Sequence, residues 1–332
     1  GPAYYMKYGL GKGWMGILFA VLMIITFGFA YNSVQSNTIC LAWQKAFGIE
    51  PATMGIALTV LTLLIIFGGI HRVAKFSSTV VPVMAVIYLL IAVGVVVWNI
   101  TSLPKVLLTI VENAFGFNQA AGGVLGVTVI QGIKRGLFSN EAGEGSAPNA
   151  AAVATVSHPV KQGLIQALGV FTDTLVVCSC TAFIILVSGV DLTASNGIQL
   201  TQDALTHEIG SIGNPFVAVM IWLFAFSSII GNYYYGETNV RYIRDSKLGV
   251  FVYRLAVAAM VMVGAVVSLD FAWSFADITM ALLTLCNLVA IVLLSRQAVF
   301  LLKDYRQQKK EGKNPVFTKD KMPEIADKLE AW

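Results

Sequence analysis

Long apolar runs separated by short polar stretches fill nearly the whole chain, and the lengths of those runs carry the structural signal. Eight stretches read as membrane elements, with approximate limits at 14 to 41, 54 to 70, 79 to 100, 120 to 155, 163 to 189, 214 to 236, 249 to 269 and 273 to 302. Most hold the roughly 20 apolar residues that a helix needs to cross about 30 Å of hydrocarbon. The stretch from 120 to 155 differs. Its apolar part, "AAGGVLGVTVIQGI", covers only about 20 Å at 1.5 Å per residue before Lys134 and Arg135 begin a charged segment. That segment, "GIKRGLFSNEAGEGSAPNAAA", carries glycines at 132, 136, 143 and 145, serines at 139 and 146, and Pro148, all of which weaken an unbroken helix. The pattern predicts a broken helix at membrane depth, with a short apolar half, a polar break and a second half made of small residues. A span that ends near residue 133 and runs into a charged loop is the alternative.

Broken helices have a chemical use. Unwound backbone inside a membrane persists only where protein, ligand or a water-filled cavity satisfies its amide and carbonyl groups. Transporters exploit this: half-helix N-termini attract carboxylates, while freed carbonyls hold ammonium or sodium ions.

Composition agrees with the run lengths. The chain is 57% hydrophobic and 12% charged, against about 25% charged in a soluble domain. We expect an all-α membrane protein with a transmembrane domain at 1–302 and a cytoplasmic tail at 303–332. The lysines and arginines test the span count, because cytoplasmic loops carry the excess. One side receives Lys7, Lys12, Arg72, Lys75, Lys161, Arg241, Arg244, Lys247, Arg254 and the basic tail, and the other only Lys45 and Lys105 among acidic residues. Residues 1 to 13 and the C-terminus are therefore expected in the cytoplasm. The tail reads as a solvated or membrane-surface segment. The basic residues serve topology and no base-stacking motif accompanies them, which argues against nucleic-acid binding. Cys40, Cys178, Cys180 and Cys286 fall in apolar spans and read as packing residues without disulfides. The polar, glycine-rich lead "GPAYYMKYGLGKGW" gives the sequence the look of one truncated at its front.

Polar residues inside the spans are the candidate functional groups. "YNSVQSNT" holds Asn32, Gln35, Ser36 and Asn37, with Asn32 and Ser36 on one helical face. Such residues serve either as interhelical hydrogen-bonding groups or as ligands. Asp173 and Asp277 are costly in hydrocarbon and should face the bundle interior against a cation or hydroxyl. Lys134 and Arg135 are the available cations, and Arg135 is expected to pair with Glu141 or Asp173, either holding the broken segment near a cytoplasmic gate or as a static pair that only sets helix register. Ser227 and Ser228 offer adjacent hard oxygen donors, or else bond back to the helix carbonyl four residues earlier. Tyr233, Tyr234 and Tyr235 could form an interfacial belt. His71, His158 and His207 fall in expected loops, which disfavours an intramembrane enzyme, as such chemistry needs a nucleophile and base within reach. A passive channel is disfavoured because the break lacks a ring-like filter motif.

At "GIKRGLFSNEAGEGSAP" the sequence resembles the alanine or glycine:cation symporter family, whose signature reads close to RGLFSNEAGxGSAP. "GPAYYMKYGLG", "NSVQSNTI", "SSIIGNYYYGE", "HPVKQGLIQALGVFTDTLVVCSCTAFIIL" and "ADITMALLTLCNL" resemble other family segments. The likeness covers essentially residues 1 to 302. It implies a leucine-transporter-like inverted-repeat helix bundle with core helices three to ten present, as a partial first repeat at 1–100 and a second repeat at 120–302. Core helices one and two are expected to be absent. The resemblance assigns Phe138, Ser139 and Asn140 to the unwound sixth helix beside the substrate and Gln35 to the pocket face of the third. It makes Ser227 and Ser228 ligands of a sodium site. Asn232 stands where some members carry tryptophan, which implies a changed pocket volume. Glu144 falls where the signature varies and receives little weight. The implied activity is sodium-coupled uptake of a small neutral amino acid, alanine or glycine, by alternating access in the cell membrane. A sodium- or proton-coupled carrier of glutamine or another neutral amino acid is the alternative. Sodium is the coupling ion, no cofactor is implied, and the partners are the amino acid, sodium and the lipid bilayer.

Overall fold

The described residues of the computed structural model are 1–68, 70–115, 122–323 and 325–329, and among them every regular element is helical. Residues 120 and 121 of the fourth expected span, and the last three of the tail, lie outside them. The helices are α1 (Gly13–Phe47), α2 (Pro51–Ile66), α3 (Ile70–Trp98), α4 (Leu103–Ala114), α5 (Gly122–Asn140), α6 (Ser146–Ala151), α7 (Pro159–Ser188), α8 (Ile198–Ile209), α9 (Gly213–Ile243), α10 (Lys247–Val266), α11 (Leu269–Leu293) and α12 (Ser295–Lys310). A short turn at Pro2–Tyr4, widening over Tyr5–Gly9, precedes α1. Among the described residues, five helical stretches are long and apolar enough to cross a membrane, or six if Pro82–Trp98 and Leu103–Ala114, bent by 103°, form one broken span. The chain is an integral membrane protein.

Local chemistry sets the boundaries. Gly48, with φ of 67°, ends α1, and Pro51 opens α2 at a position where its missing N–H costs nothing. Ser246 Oγ accepts from Gly249 N at 2.9 Å and Ser268 Oγ from Phe271 N at 3.3 Å, which fixes the starts of α10 and α11. The expected spans at 249 to 269 and 273 to 302 are corrected accordingly. The apolar run of α10 carries on to Val267 and only Ser268 and Asp270 interrupt it where α11 begins, so hydropathy alone placed the junction a few residues late. The last span stops at Leu293, and α12 crosses the expected domain limit at 302. His207 lies on α8, and His71 at the start of α3, rather than in loops.

The hairpin α1–α2 packs against the hairpin α9–α10, with α1 touching both partners and α2 lying mainly on α10. Ile39, Leu58, Phe226, Ile229, Val257 and Val261 fill the seam, all of them buried. With hydrocarbon on the outside as apolar as leucine, close backbone approach and hydrogen bonds hold such seams. Ser36 Oγ donates to Val261 O at 2.7 Å, and Asn37 Nδ2 to Gly264 O at 3.0 Å and to Val267 O at 2.8 Å. Three of the four polar residues in "NSVQSN" singled out by sequence thus face neighbouring helices, since Asn32 meets Asn232. A second cluster joins the first half of α1 to α11 through Phe19, Met23, Phe27, Met280 and Leu283. A third joins α3, α7, α8 and α9.

The tail folds back on the loop before α7. Phe317 N donates to Ser157 O at 2.8 Å, Ser157 Oγ to Pro315 O at 2.9 Å, and Lys161 Nζ to Asn314 Oδ1 at 2.7 Å. His158, fully buried, sits edge-on to Tyr305 and Phe317 with Nε2 3.2 Å from Asp304 Oδ2. Burial would raise the Asp304 carboxyl, but hydrogen bonds with Lys321, His158 and Gln308 outweigh it and hold the group below the usual carboxylate range.

Two outcomes follow from this packing. A Cβ at Gly264 would lie 2.5 Å from Ser33 Cα and 2.6 Å from Ser33 O, so Gly264→Ala should lower the thermal midpoint in detergent by the equivalent of about 1–3 kcal/mol. Because the Asp304 carboxyl is depressed, its contribution to tail docking is present above its unfolded value near pH ~4 and lost as pH falls through the depressed one. Limited proteolysis should accordingly cut 311–323 faster at low pH than at neutral pH, and Asp304→Asn should be cut at the fast rate at neutral pH.

Candidate binding site at the broken helix

The helix beginning with α5 breaks at 141–145 and resumes as α6. Glu141, Gly143 and Gly145 take φ values of 52°, 88° and 91°, and Glu141 is the one non-glycine with positive φ among the described residues. Left-handed backbone is cheap for glycine and costs a side-chain-bearing residue of order 1 kcal/mol or more, a strain often found where a chain has a task. Glycine is also required by space at 145, where a Cβ would lie 2.7 Å from Pro2 Cγ and 2.8 Å from Phe19 Cζ.

Side-chain amides satisfy the freed backbone. Asn287 on α11 donates to Gly143 O at 2.8 Å, Asn149 to Gly145 O at 2.9 Å, and Asn140 Oδ1 accepts from Ala142 N at 2.9 Å. Asn287 is itself oriented by the Tyr5 hydroxyl. The break therefore starts later than expected. Phe138, Ser139 and Asn140 form the last turn of α5, because the capping Asn140 and the positive-φ residues both come after them.

A cavity of about 510 Å³ lies against this break. Gln35, Phe138, Ser139, Ser227, Ser228 and Asn232 line it, as do Glu141 and Asp173, which sequence reasoning had placed in an ion pair instead. Asn140 is absent from the lining, since its side chain turns back to cap its own backbone. The helices bordering the cavity widen into π-type turns beside it, over Ile24–Tyr31 in α1 and Thr172–Val177 in α7. Such turns recur at functional sites because they re-aim side chains out of helical register. Tyr31 and Asp173 are the residues so placed.

The polar groups are distributed unevenly. Ser227 and Ser228 both donate to Phe224 O, at 2.7 and 3.1 Å, which uses their hydrogens and leaves oxygen lone pairs for the cavity. Asn232 Nδ2 donates to Asn32 Oδ1 at 3.1 Å, and Asn32 Nδ2 to Gly28 O at 3.0 Å. Asp173 Oδ2 accepts from Ser139 Oγ at 2.7 Å, and Cys178 Sγ stands 3.1 Å from the same hydroxyl. Cys178 thus faces the cavity instead of serving only as packing. Among the described residues no group of His, Cys, Asp and Glu is arranged to hold a transition metal.

Arg135 does not pair with Glu141 or Asp173. It pairs with Asp277 on α11, Lys134 Nζ approaches the same carboxylate at 3.3 Å, and the guanidinium lies 4.1 Å from the Trp273 ring. Trp273 in turn packs on Phe138 and Phe138 on Tyr31, each at 4.7 Å between ring centres. Asp277 is roughly four turns from the Leu293 end of α11. This cluster therefore lies toward the end of α11 away from the tail, not on the tail side where it was expected. The sequence had Asp277 facing a cation or hydroxyl, and the structure supplies both Lys134 and Arg135, but nothing in the spacing chose Asp277 over Glu141 or Asp173 as the partner of Arg135.

Glu144, given little weight from sequence, is fully buried, and the Tyr31 hydroxyl lies 2.9 Å from each of its oxygens. A glutamate within the break was visible in the sequence, but its burial against Tyr31 of α1 was not.

An all-helical membrane protein with a polar cavity at an interrupted helix has the architecture of a carrier. The chain matches the sodium:alanine symporter family over residues 1–319 and belongs to it. It is 56% identical over 321 residues to the probable sodium/glutamine symporter GlnT of Bacillus subtilis, covering 96% of this chain and 67% of that one. The amino-acid carrier protein AlsT of the same organism is 52% identical over 332 residues, covering 100% of this chain and 71% of the relative. The sodium/alanine symporter AgcS of Methanococcus maripaludis is 34% identical over 326 residues, covering 95% and 71%.

Removing the Tyr31 hydroxyl should leave Glu144 buried without a partner. Tyr31→Phe is expected to destabilise the protein by about 1–3 kcal/mol, read as a lower thermal midpoint, and Tyr31→Phe with Glu144→Leu to recover most of it.

Proposed function

We propose that the protein is a secondary active symporter, coupling sodium entry to uptake of a small neutral amino acid across the plasma membrane by alternating access. The observation that carries the reading is the cavity where the helix break, Gln35 and the serine pair of α9 meet. Ser227 and Ser228 are proposed as sodium ligands, since their free lone pairs suit a hard cation. Gln35, Phe138, Ser139 and Asn232 are proposed to contact the amino acid. The Arg135–Asp277 pair with Trp273 is proposed as the gate on the far side from the tail. Sodium and substrate sharing one broken-helix site gives a route to reciprocal coupling of roughly 1–3 kcal/mol.

The fold proposed is the leucine-transporter-like inverted repeat. In it α1, α2 and α3 would be core helices three to five, α5 with α6 the broken sixth, and α7, α9, α10 and α11 the seventh to tenth. Support comes from the interlocked α1–α2 and α9–α10 hairpins, and from the short helices at Pro2–Gly9 and Ile198–Ile209 that precede α1 and α9 alike. The limits 1–302 for the transporter domain, with repeats at 1–100 and 120–302, and 303–332 for a cytoplasmic tail, belong to the same proposal. A second reading, glutamine as substrate, is favoured by the smaller Asn232 in place of tryptophan and by the name of the GlnT relative.

Full-length protein in proteoliposomes should accumulate labelled alanine, glycine or glutamine down an imposed sodium gradient and show counterflow, which a channel cannot. Ser227→Ala and Ser228→Ala are each expected to raise the half-saturating sodium concentration about tenfold or more, the value of a lost charged contact. Unchanged sodium dependence in both variants would remove the serine pair from the site.

A further inference from the structure

The cavity holds two carboxylates, Glu141 and Asp173, and among the described residues no lysine, arginine or histidine lines it. The cations nearest in sequence to Glu141, Lys134 and Arg135, are committed to Asp277, and the one nearest to Asp173, Lys161, to Ser157 and Asn314. Asp173 itself has a single hydrogen-bond partner among the described residues, Ser139 Oγ, at Oδ2, and its other oxygen has none. A carboxylate inside a membrane protein that lacks a cation of its own is costly, and the usual resolution is a cation supplied by whatever the site binds.

Placement makes Asp173 the better of the two for that role. Glu141 sits on the strained break itself, with the backbone that has to rearrange as the helix halves move. Asp173 stands on the unbroken α7, turned inward by the wide turn at Thr172–Val177 and held in orientation by a hydroxyl from α5. The serine pair lies on a different helix, α9, and offers neutral oxygens. A zwitterionic amino acid needs one counter-charge at each end. A sodium ion on the serine pair can face its carboxylate, and its ammonium needs an anion.

We infer that Asp173 is the counter-ion for the ammonium group of the transported amino acid, with Ser139 as the positioning residue that aims it into the cavity. This rests on the symporter reading above and deepens it. It reassigns Asp173 from a gate to substrate recognition, and it makes the free amine a requirement for entry. Amino acids qualify on that account, hydroxy acids and N-acylated amino acids do not, and a second carboxylate on the substrate meets repulsion.

The test compares wild type, Asp173→Asn, Asp173→Glu and Ser139→Ala in proteoliposomes. The readouts are the KM for alanine, the half-saturating sodium concentration, and competition by lactate, which has a hydroxyl in place of the ammonium. Asp173→Asn should raise the alanine KM about 10- to 100-fold, the cost of losing a charged partner, and shift sodium dependence by less than about threefold. It should also narrow the preference for alanine over lactate, which a merely structural defect would not do. Asp173→Glu should recover part of the affinity, and Ser139→Ala should give an intermediate KM. An unchanged alanine KM in Asp173→Asn, or a sodium shift as large as the alanine shift, overturns the inference. The same comparison is made in detergent as thermal stabilisation by alanine in the presence of sodium. That readout decides for Asp173 even if wild-type vesicles show no uptake, a result that would count against symport instead. If Asp173→Asn does not yield folded protein, wild-type alanine affinity in Asp173→Glu overturns the inference and weakened affinity supports it.

Discussion

The structure depends on one constraint: backbone opened inside a membrane must find its hydrogen bonds within the protein. Residues 141–145 leave the helical conformation, and among their backbone groups the Ala142 amide and the Gly143 and Gly145 carbonyls are met by the asparagines at 140, 287 and 149. Much else is arranged around that requirement. Tyr5, on the lead before α1, orients Asn287, and Asn239 on α9 approaches Asn149 at 3.4 Å. The break is thus tied to α11, to α9 and to the lead at once, so a change in its geometry must be felt by all three.

Charge is handled in the same economical way. The two cations of α5 share one carboxylate on α11, and the pair is roofed by Trp273. On the tail side, Arg254 meets both Tyr233 and Glu237, and Arg241 meets Glu237 and Asp245. These pairs leave the cavity between them with acids and hydroxyls but, among the described residues, without a basic side chain. A site of that composition is suited to ligands that bring their own positive charge, as sodium and an amino-acid ammonium do.

Much of the fold class was legible along the chain because apolar run length reports membrane crossing directly. The break was legible too, since two glycines that must take positive φ and a proline stand together after a short apolar half. Its register was not: Phe138 to Asn140 stay helical because the capping chemistry of Asn140 lies at the end of α5, not before it. Span ends went astray at the α10–α11 junction, where the apolar run of α10 carries on to Val267, and there a single serine hydroxyl, Ser268, decides where the next helix starts. Gln35 and the two serines of α9 were picked out as polar residues in apolar runs, Asn232 through the family resemblance, and they do meet at one cavity.

The sequence by itself determined that this is a helical membrane protein, that one helix is interrupted at a glycine-rich charged segment, and which side chains bear polar groups within the bilayer. Each of these follows from local length, composition or backbone freedom. Only the tertiary structure decided who partners whom. Arg135 meets Asp277 across 142 residues, Tyr31 meets Glu144 across 113, and Asp173 turns from an expected salt bridge to a serine on α5. Pairing of this kind depends on which helix faces cross and on a π-type turn that shifts the face of α7. A chain read in one dimension holds the charges but not the distances between them.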